Sequence, residues 1–524
     1  MAHGVTPTEL KAWLHDGQEV ALLDVRESGQ FGEGHLFHAV PLPYSRLEIE
    51  APRLMPRLAT RVVVVDGGEG GVAERAAARL ESMGYTGVHV LAGGTPAWRA
   101  AGFRLFQGVN LPSKTFGELV EHQLHTPRIS AQELARRQAA GENLIVLDGR
   151  PFGEYRKMNI PGAVCCPNGE LALRVGQLAP DPATTVVVNC AGRTRSIIGA
   201  QTLINFGIAN PVLALENGTQ GWALADLQLQ HGSTRRHGDD AAPADLAERR
   251  VRAAALADRH GVPMVDAELA QRWVDDGTRN CFVLDVRTPE EFAAGTLPGA
   301  QHAPGGQLLQ ATDQYVAVRG ARLLLVDSDG VRAPVVASWL RQMGWDAAVL
   351  RGGIAAPLRL PAARSLPAWP AGFIGAQELA AELDARRVIA VDLRPGMAYR
   401  AAHVPRSVWS IRPRLAADML ATDRRPLVLI ADEPALAALA ALDLQQAGLP
   451  APRLLAGGLQ AWRDAGLPLD ASPGVPSDAD CIDYLFFVHD RHDGNKEAAR
   501  RYLAWETGLI AQLDEQERSG FRIG

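Results

Sequence analysis

Thr185-Val186-Val187-Val188-Asn189-Cys190-Ala191-Gly192-Arg193-Thr194-Arg195-Ser196 is the stretch whose reading decides the fold. Its β-branched run reads as a buried strand that stops at a cysteine. A short loop follows, and the apolar spacing from Ile197 to Phe206 reads as a helix. A strand that turns at once into a helix brings its last residue against unpaired backbone N–H groups and the positive end of the helix dipole. Arg193 and Arg195 add positive potential there. Such a setting favours a thiolate, so Cys190 is the candidate nucleophile. A cysteine without this context is more often a small buried hydrophobe; here the turn, the glycine and the arginines point to chemistry.

Outward from this stretch, the same grammar recurs four times. Helix starts stand at Thr6-Pro7-Thr8-Glu9, Ser130-Ala131-Gln132-Glu133, Asp266-Ala267-Glu268 and Gly375-Ala376-Gln377-Glu378, and the first two read as capping boxes. A short apolar strand then ends in Asp-x-Arg: Asp24/Arg26, Asp148/Arg150, Asp285/Arg287 and Asp392/Arg394. A second strand closes on Asp66, Cys190, Asp327 and Asp432. The interval from the first aspartate to that position is 42 residues in three copies and 40 in the fourth. A third strand leads to a glycine turn, with Trp98, Trp222 and Trp462 placed to pack back as core; the third copy has Pro357. Strands alternating with helices predict parallel sheets, and reactive groups in such sheets gather at the carboxyl ends of strands. The expected fold is α/β: four tandem units over 1–107, 129–232, 263–360 and 372–470, and a helical extension over 471–524.

The 524 residues carry a net charge of −6 with 47% hydrophobic and 21% charged residues, which reads as a soluble globular chain. That balance argues against nucleic-acid or membrane-surface binding. No apolar run has membrane-spanning length, and the N-terminus lacks a signal-peptide pattern. Cys165, Cys166, Cys190, Cys281 and Cys481 form no CxxC pair and no disulfide framework, which suits a reducing cytoplasm. His489-Asp490-Arg491-His492-Asp493 offers metal-ligating types, but alternating charges ahead of a helix start at Asp493-Gly494-Asn495 read as solvated. No metal or cofactor is called for.

Between the units, 106–127 is long for a connector and has two readings, a cover over the second unit's pocket or a surface linker. Residues 233–262 read as a spacer, with a basic Ala-rich helix, that divides the chain into two pairs of units; 361–371 reads as a Pro-containing linker.

The ordered set of Asp-x-Arg, a strand ending in a Cys-initiated six-residue loop and a later Leu-x-Gly-Gly-x-x-x-Trp resembles the rhodanese (thiosulfate sulfurtransferase) family. The second copy departs from it in Asn159-Ile160-Pro161-Gly162-Ala163 and in its Leu-Glu-Asn-Gly turn. The resemblance implies that Cys190 accepts sulfane sulfur as a persulfide. It also implies that Ala191, Gly192, Arg193, Thr194, Arg195 and Ser196 cradle the anionic donor, with Arg195 its chief cationic contact. The other three copies lack the sulfur and are expected to be silent. The activity implied is transfer from thiosulfate or a similar donor to cyanide, sulfite or a thiol. The basic loop favours thiosulfate over 3-mercaptopyruvate, and its length argues against a phosphatase, whose relatives use one residue more. The alternative is a scaffold or sulfur carrier that delivers persulfide to a protein partner. Asp148 and Arg150 recur in silent copies and read as a structural ion pair. Cys165 and Cys166 read as packing rather than as resolving thiols. The sequence leaves the oligomeric state open.

Overall fold

The computed structural model describes residues 3–68, 70–238, 243–362, 372–421, 424–489, 491 and 495–524. Four α/β units follow one another, each a parallel sheet flanked by helices, and a helical C-terminal extension closes the chain. In the second unit the strands lie in the order Arg128–Ile129, Val212–Leu215, Thr185–Asn189, Leu144–Asp148 and Val164–Cys165. Val186, Val187 and Val188 are fully buried, as a central strand covered on both faces requires. The other units repeat this crossover order.

Strand register aligns the four copies without reference to spacing. The aspartate of Asp-x-Arg stands opposite the last residue of the neighbouring strand: Asp24 opposite Val65, Asp148 opposite Asn189, Asp285 opposite Val326, Asp392 opposite Ile430. The next residues are therefore Asp66, Cys190, Asp327 and Ala431. Ala431, not Asp432, is the counterpart of Cys190 in the fourth unit. The glycine turns agree. A Cβ on Gly94, Gly218, Gly353 or Gly458 would sit 2.6, 2.2, 1.9 or 3.0 Å from the carbonyl oxygen of Asp66, Cys190, Asp327 or Ala431. Each of these glycines also has φ near +55°, so the turn needs glycine twice over.

Asp-x-Arg is a structural clamp. Arg150 donates through Nε and Nη2 to Asp148 at 2.8 and 2.7 Å, and Nη2 also reaches the Met158 carbonyl at 2.6 Å. Arg26, Arg287 and Arg394 do the same toward Asp24, Asp285 and Asp392 and toward Gly34, Gly295 and Ala402. The clamp ties each strand end to the end of the next helix in the cysteine-bearing copy and in the other three alike. Trp98, Trp222 and Trp462 are buried, each with its indole N–H on a carbonyl six residues on. Thr6 and Glu9 form a full capping box, whereas Ser130 caps Glu133 while the Glu133 carboxylate turns outward to Arg136 and Arg137.

The units do not pack as two sequential pairs. Strand Val318–Arg319 of the third unit adds to the first unit's sheet, antiparallel to Val20–Asp24. The first unit also meets the fourth through buried Arg412, which joins Glu48 at 2.7 Å to Asp443 at 2.7 Å. Helix Leu246–Arg259 is no free spacer: Ala253 and Leu256 pack with Leu173, Val331 and Val335, joining units two and three. Charge-bearing residues 239 and 240, most of the 361–371 linker and most of the proposed metal run lie outside the described residues. Among the described residues, no helix is long and apolar enough to cross a membrane.

Candidate active site

Strand Thr185–Asn189 delivers Cys190 to the start of helix Thr194–Phe206. Asn189, a polar residue closing a valine run, donates through Nδ2 to Asp148 at 2.8 Å and anchors the strand end. Cys190 is 2% exposed. The Ser196 hydroxyl donates to its sulfur at 3.1 Å, a donor placed where charge builds on sulfur. The loop carbonyls are held from behind. Cys190 accepts from the Thr219 N–H at 2.9 Å, and Ala191 from the Gln220 backbone and side chain at 3.2 and 3.1 Å. Among the described residues, the backbone N–H groups of Ala191 to Ser196 donate to no protein group, so this helix start keeps its donors for an anion.

The two loop arginines differ in their surroundings. Arg195 lines the same cavity as Cys190, its guanidinium held by Glu154 at 2.9 and 2.8 Å and by Gln307 of the third unit at 3.3 Å. Arg193 makes a paired contact with Glu118 at 2.7 and 2.9 Å and a further ion pair with Glu121. Its charge is spent on the 106–127 connector, which forms helix Leu111–Leu124 and lies on the active loop. At the closest approach a Cβ on Gly117 would meet the Thr194 side chain at 2.7 Å; the connector is a cover, and glycine lets it close.

Cys190 and its loop open into a cavity of about 370 Å³. Its walls come from the connector helix (Lys114), the third unit (Gln307, Gln310, Gln314) and the C-terminal extension (Val488, Tyr502, Glu506). Helix Lys496–Thr507 begins at Asn495, whose side chain accepts from the Ala498 N–H at 3.0 Å. It carries Tyr502 and Glu506 to the loop. Glu506 accepts from Lys114 Nζ at 3.1 Å and from the Thr194 hydroxyl at 3.0 Å. Burial pushes the Lys114 ammonium down, but Glu506 and Tyr502 outweigh it and leave it above its ordinary value. Lys114, Gln307, Tyr502 and Glu506 escape a reading of the sequence because each reaches the site from a separate segment. The connector's unusual length was the one signal of a cover.

Cys165 and Cys166 are fully buried, and neither is among the residues lining this cavity. Burial pushes the Cys165 thiol up to about 12 and the Cys166 thiol well above its usual range. Both are packing residues.

In the first and third units the cradle is filled from within. Asp66 accepts from the Gly68 and Ala73 N–H groups at 2.8 and 2.9 Å, and Asp327 from Gly330 and Ala333 at 3.0 and 2.8 Å. A carboxylate there occupies the amides that Cys190 leaves free.

The rhodanese-like domain model matches residues 6–101, 130–225, 266–357 and 375–465. The chain belongs to the rhodanese-like domain family. A solved thiosulfate sulfurtransferase from Pseudomonas aeruginosa is similar over 99% of both chains, with 44% identity and a TM-score of 0.91. An HTH-type transcriptional regulator of Mycobacterium tuberculosis is 36% identical over 111 residues, 21% of this chain and 48% of its own length. A putative sulfur carrier protein of Bacillus subtilis is 29% identical over 102 residues, 20% of this chain and 54% of its own. This chain thus spans about half the length of the curated relatives it matches. The rhodanese-like matches place Cys190 in the second copy, and the extension beyond 465 lies outside them.

Proposed function

We propose that this chain is a sulfurtransferase that moves sulfane sulfur from thiosulfate, or a donor like it, to a thiophilic acceptor through a persulfide on Cys190. The observation that carries this reading is a cysteine sulfur beside a loop of uncommitted amide donors, in a cavity that Arg195 also lines. The similarity to the Pseudomonas thiosulfate sulfurtransferase along nearly the whole chain supports it. The thiolate attacks the outer sulfur of the donor, a Cys190 S–S bond forms, and sulfite leaves with the electron pair of the broken S–S bond. The loop amides and Ser196 hold the anionic persulfide, and Arg195 holds the oxyanion end of the donor. An acceptor nucleophile then takes the terminal sulfur and returns Cys190 as thiolate.

The carrier reading has a relative in its favour, the putative sulfur carrier of Bacillus subtilis. The burial of the sulfur favours small molecules instead: Cys190 is 2% exposed, and the connector helix and the C-terminal helix wall its cavity. Its thiols, all unpaired, fit a reducing cytoplasm. Thiosulfate:cyanide turnover tests the reading directly. Turnover by the intact chain and none by Cys190→Ser support it; equal turnover by both would remove Cys190 from the chemistry.

A further inference from the structure

We infer that the C-terminal extension selects the acceptor, and that Glu506 receives the ammonium group of a low-molecular-weight aminothiol. The inference rests on the persulfide reading above and names the acceptor class for the same cavity. Glu506 is 1% exposed. Its Oε1 takes both available donors, Lys114 and Thr194. Its Oε2 is buried with no hydrogen-bond partner among the described residues. It lies 3.2 Å from the point a Cβ on Gly192 would occupy, against the loop that begins at Cys190.

A buried carboxylate oxygen with no donor is costly, and a carboxylate offers about four acceptor positions, of which Oε1 uses two. Glu506 lines the cavity in which the sulfur is exchanged, and this oxygen sits against the loop at Gly192. It does nothing for thiosulfate, whose charge it repels and whose contacts are Arg195 and the loop amides. It suits the second substrate. The strongest complement to a desolvated carboxylate is a cationic N–H donor, and the reacting group of that substrate is a thiol. The remaining lining is mixed: Arg150, Arg193 and Arg195 are paired with Asp148, Glu118 and Glu154, Lys157 and Arg491 also line the cavity, and Gln220, Gln307, Gln310 and Gln314 supply neutral amides for an organic chain. Gln220 also has a buried Oε1 without a hydrogen-bond partner among the described residues. A cavity of about 370 Å³ is large for an inorganic oxyanion alone.

The step balances. The acceptor thiolate attacks the terminal sulfur of the Cys190 persulfide, a new S–S bond forms on the acceptor, and the Cys190 S–S bond breaks. Its electron pair returns to Cys190 as thiolate, the acceptor leaves as a persulfide, and nothing is oxidised or reduced overall.

The test loads the full chain with thiosulfate, verifies one added sulfur by intact mass, and follows single-turnover discharge to cysteamine, 2-mercaptoethanol and 3-mercaptopropionate at equal thiolate concentration. Discharge to cysteamine is expected to be about tenfold faster than to 2-mercaptoethanol, with the carboxylate thiol slowest. In Glu506→Gln the cysteamine advantage is expected to fall toward unity. Equal rates with all three thiols in the unaltered chain would overturn the inference, whatever the variant does. So would an equal loss with all three in Glu506→Gln, which would make Glu506 a proton acceptor rather than an ammonium site. A chain that never takes up sulfur would instead overturn the persulfide reading beneath it.

Discussion

The loops of the second and third units are built to the same plan and do opposite things. Each runs five residues from the strand end to an arginine, Cys190 to Arg195 and Asp327 to Arg332, and each arginine meets the glutamate four residues after the clamp arginine, Glu154 or Glu291. The two units face each other reciprocally. Gln307 of the third reaches Arg195, and Glu170 of the second, at the matching position, reaches Arg332 at 2.8 Å. In the third unit the loop is closed: Asp327 occupies the amides, and Arg332, 1% exposed, is shared among Asp329, Glu170 and Glu291. In the second, the amides are uncommitted and Arg195 opens on the cavity. A loop of this shape is an anion cradle by geometry alone. Whether it is a site depends on whether the chain supplies the anion itself.

The largest expected effect tests what the sulfur does. Cys190→Ser should lower thiosulfate:cyanide transfer by at least about 10³-fold; smaller losses would mean that the cradle works without its nucleophile. Cys190→Asp sharpens the comparison, because it recreates the arrangement of Asp66 and Asp327. It should be inactive yet keep a Tm within about 3 °C of the unaltered chain. Unfolding would show that the second loop is not shaped as the silent loops are.

The arginines should separate by readout. Arg195→Ala is expected to raise the thiosulfate KM by about tenfold or more with little change in stability. Arg193→Ala leaves buried Glu118 unpaired beside half-buried Glu121 and should cost about 3–5 kcal/mol in denaturant unfolding. The reverse assignment would make Arg193 the donor contact.

The smallest effect lies in the closed loop. Burial, with Asp329 beside it, pushes the Asp327 carboxyl up to about 7. An unfolded aspartate titrates near 4, so between about pH 4 and 7 the folded chain binds the extra proton and loses stability as pH rises. Asp327→Asn removes this contribution, and the fall in Tm from pH 5 to pH 8 should be shallower by about 1–2 °C. An unchanged slope would place the titration elsewhere.

The four-unit fold and the place of Cys190 at a strand-to-helix turn were legible because each is written locally, in valine runs, Asp-x-Arg and the turn itself. The clamp role of Asp148 and Arg150 followed from their presence in silent copies. Spacing misled in the fourth unit, where a shorter connection brought Asp432 near the expected interval while register gives Ala431. The ion pairs of Arg193 were not legible because its partners, Glu118 and Glu121, sit some seventy residues away. Packing was the least legible. Strand Val318–Arg319 crosses to another unit, and Tyr502 and Glu506 reach the loop from a helix of which the sequence showed only the start. Such contacts are fixed by surfaces of whole units, and no local pattern encodes them.

The most direct test of the central claim is the intact mass of the chain after thiosulfate treatment, with peptide mapping. One added sulfur on the Cys190 peptide, released by cyanide and absent from Cys190→Asp, is the predicted result. Sulfur on Cys165, Cys166, Cys281 or Cys481, or none on Cys190, would contradict it.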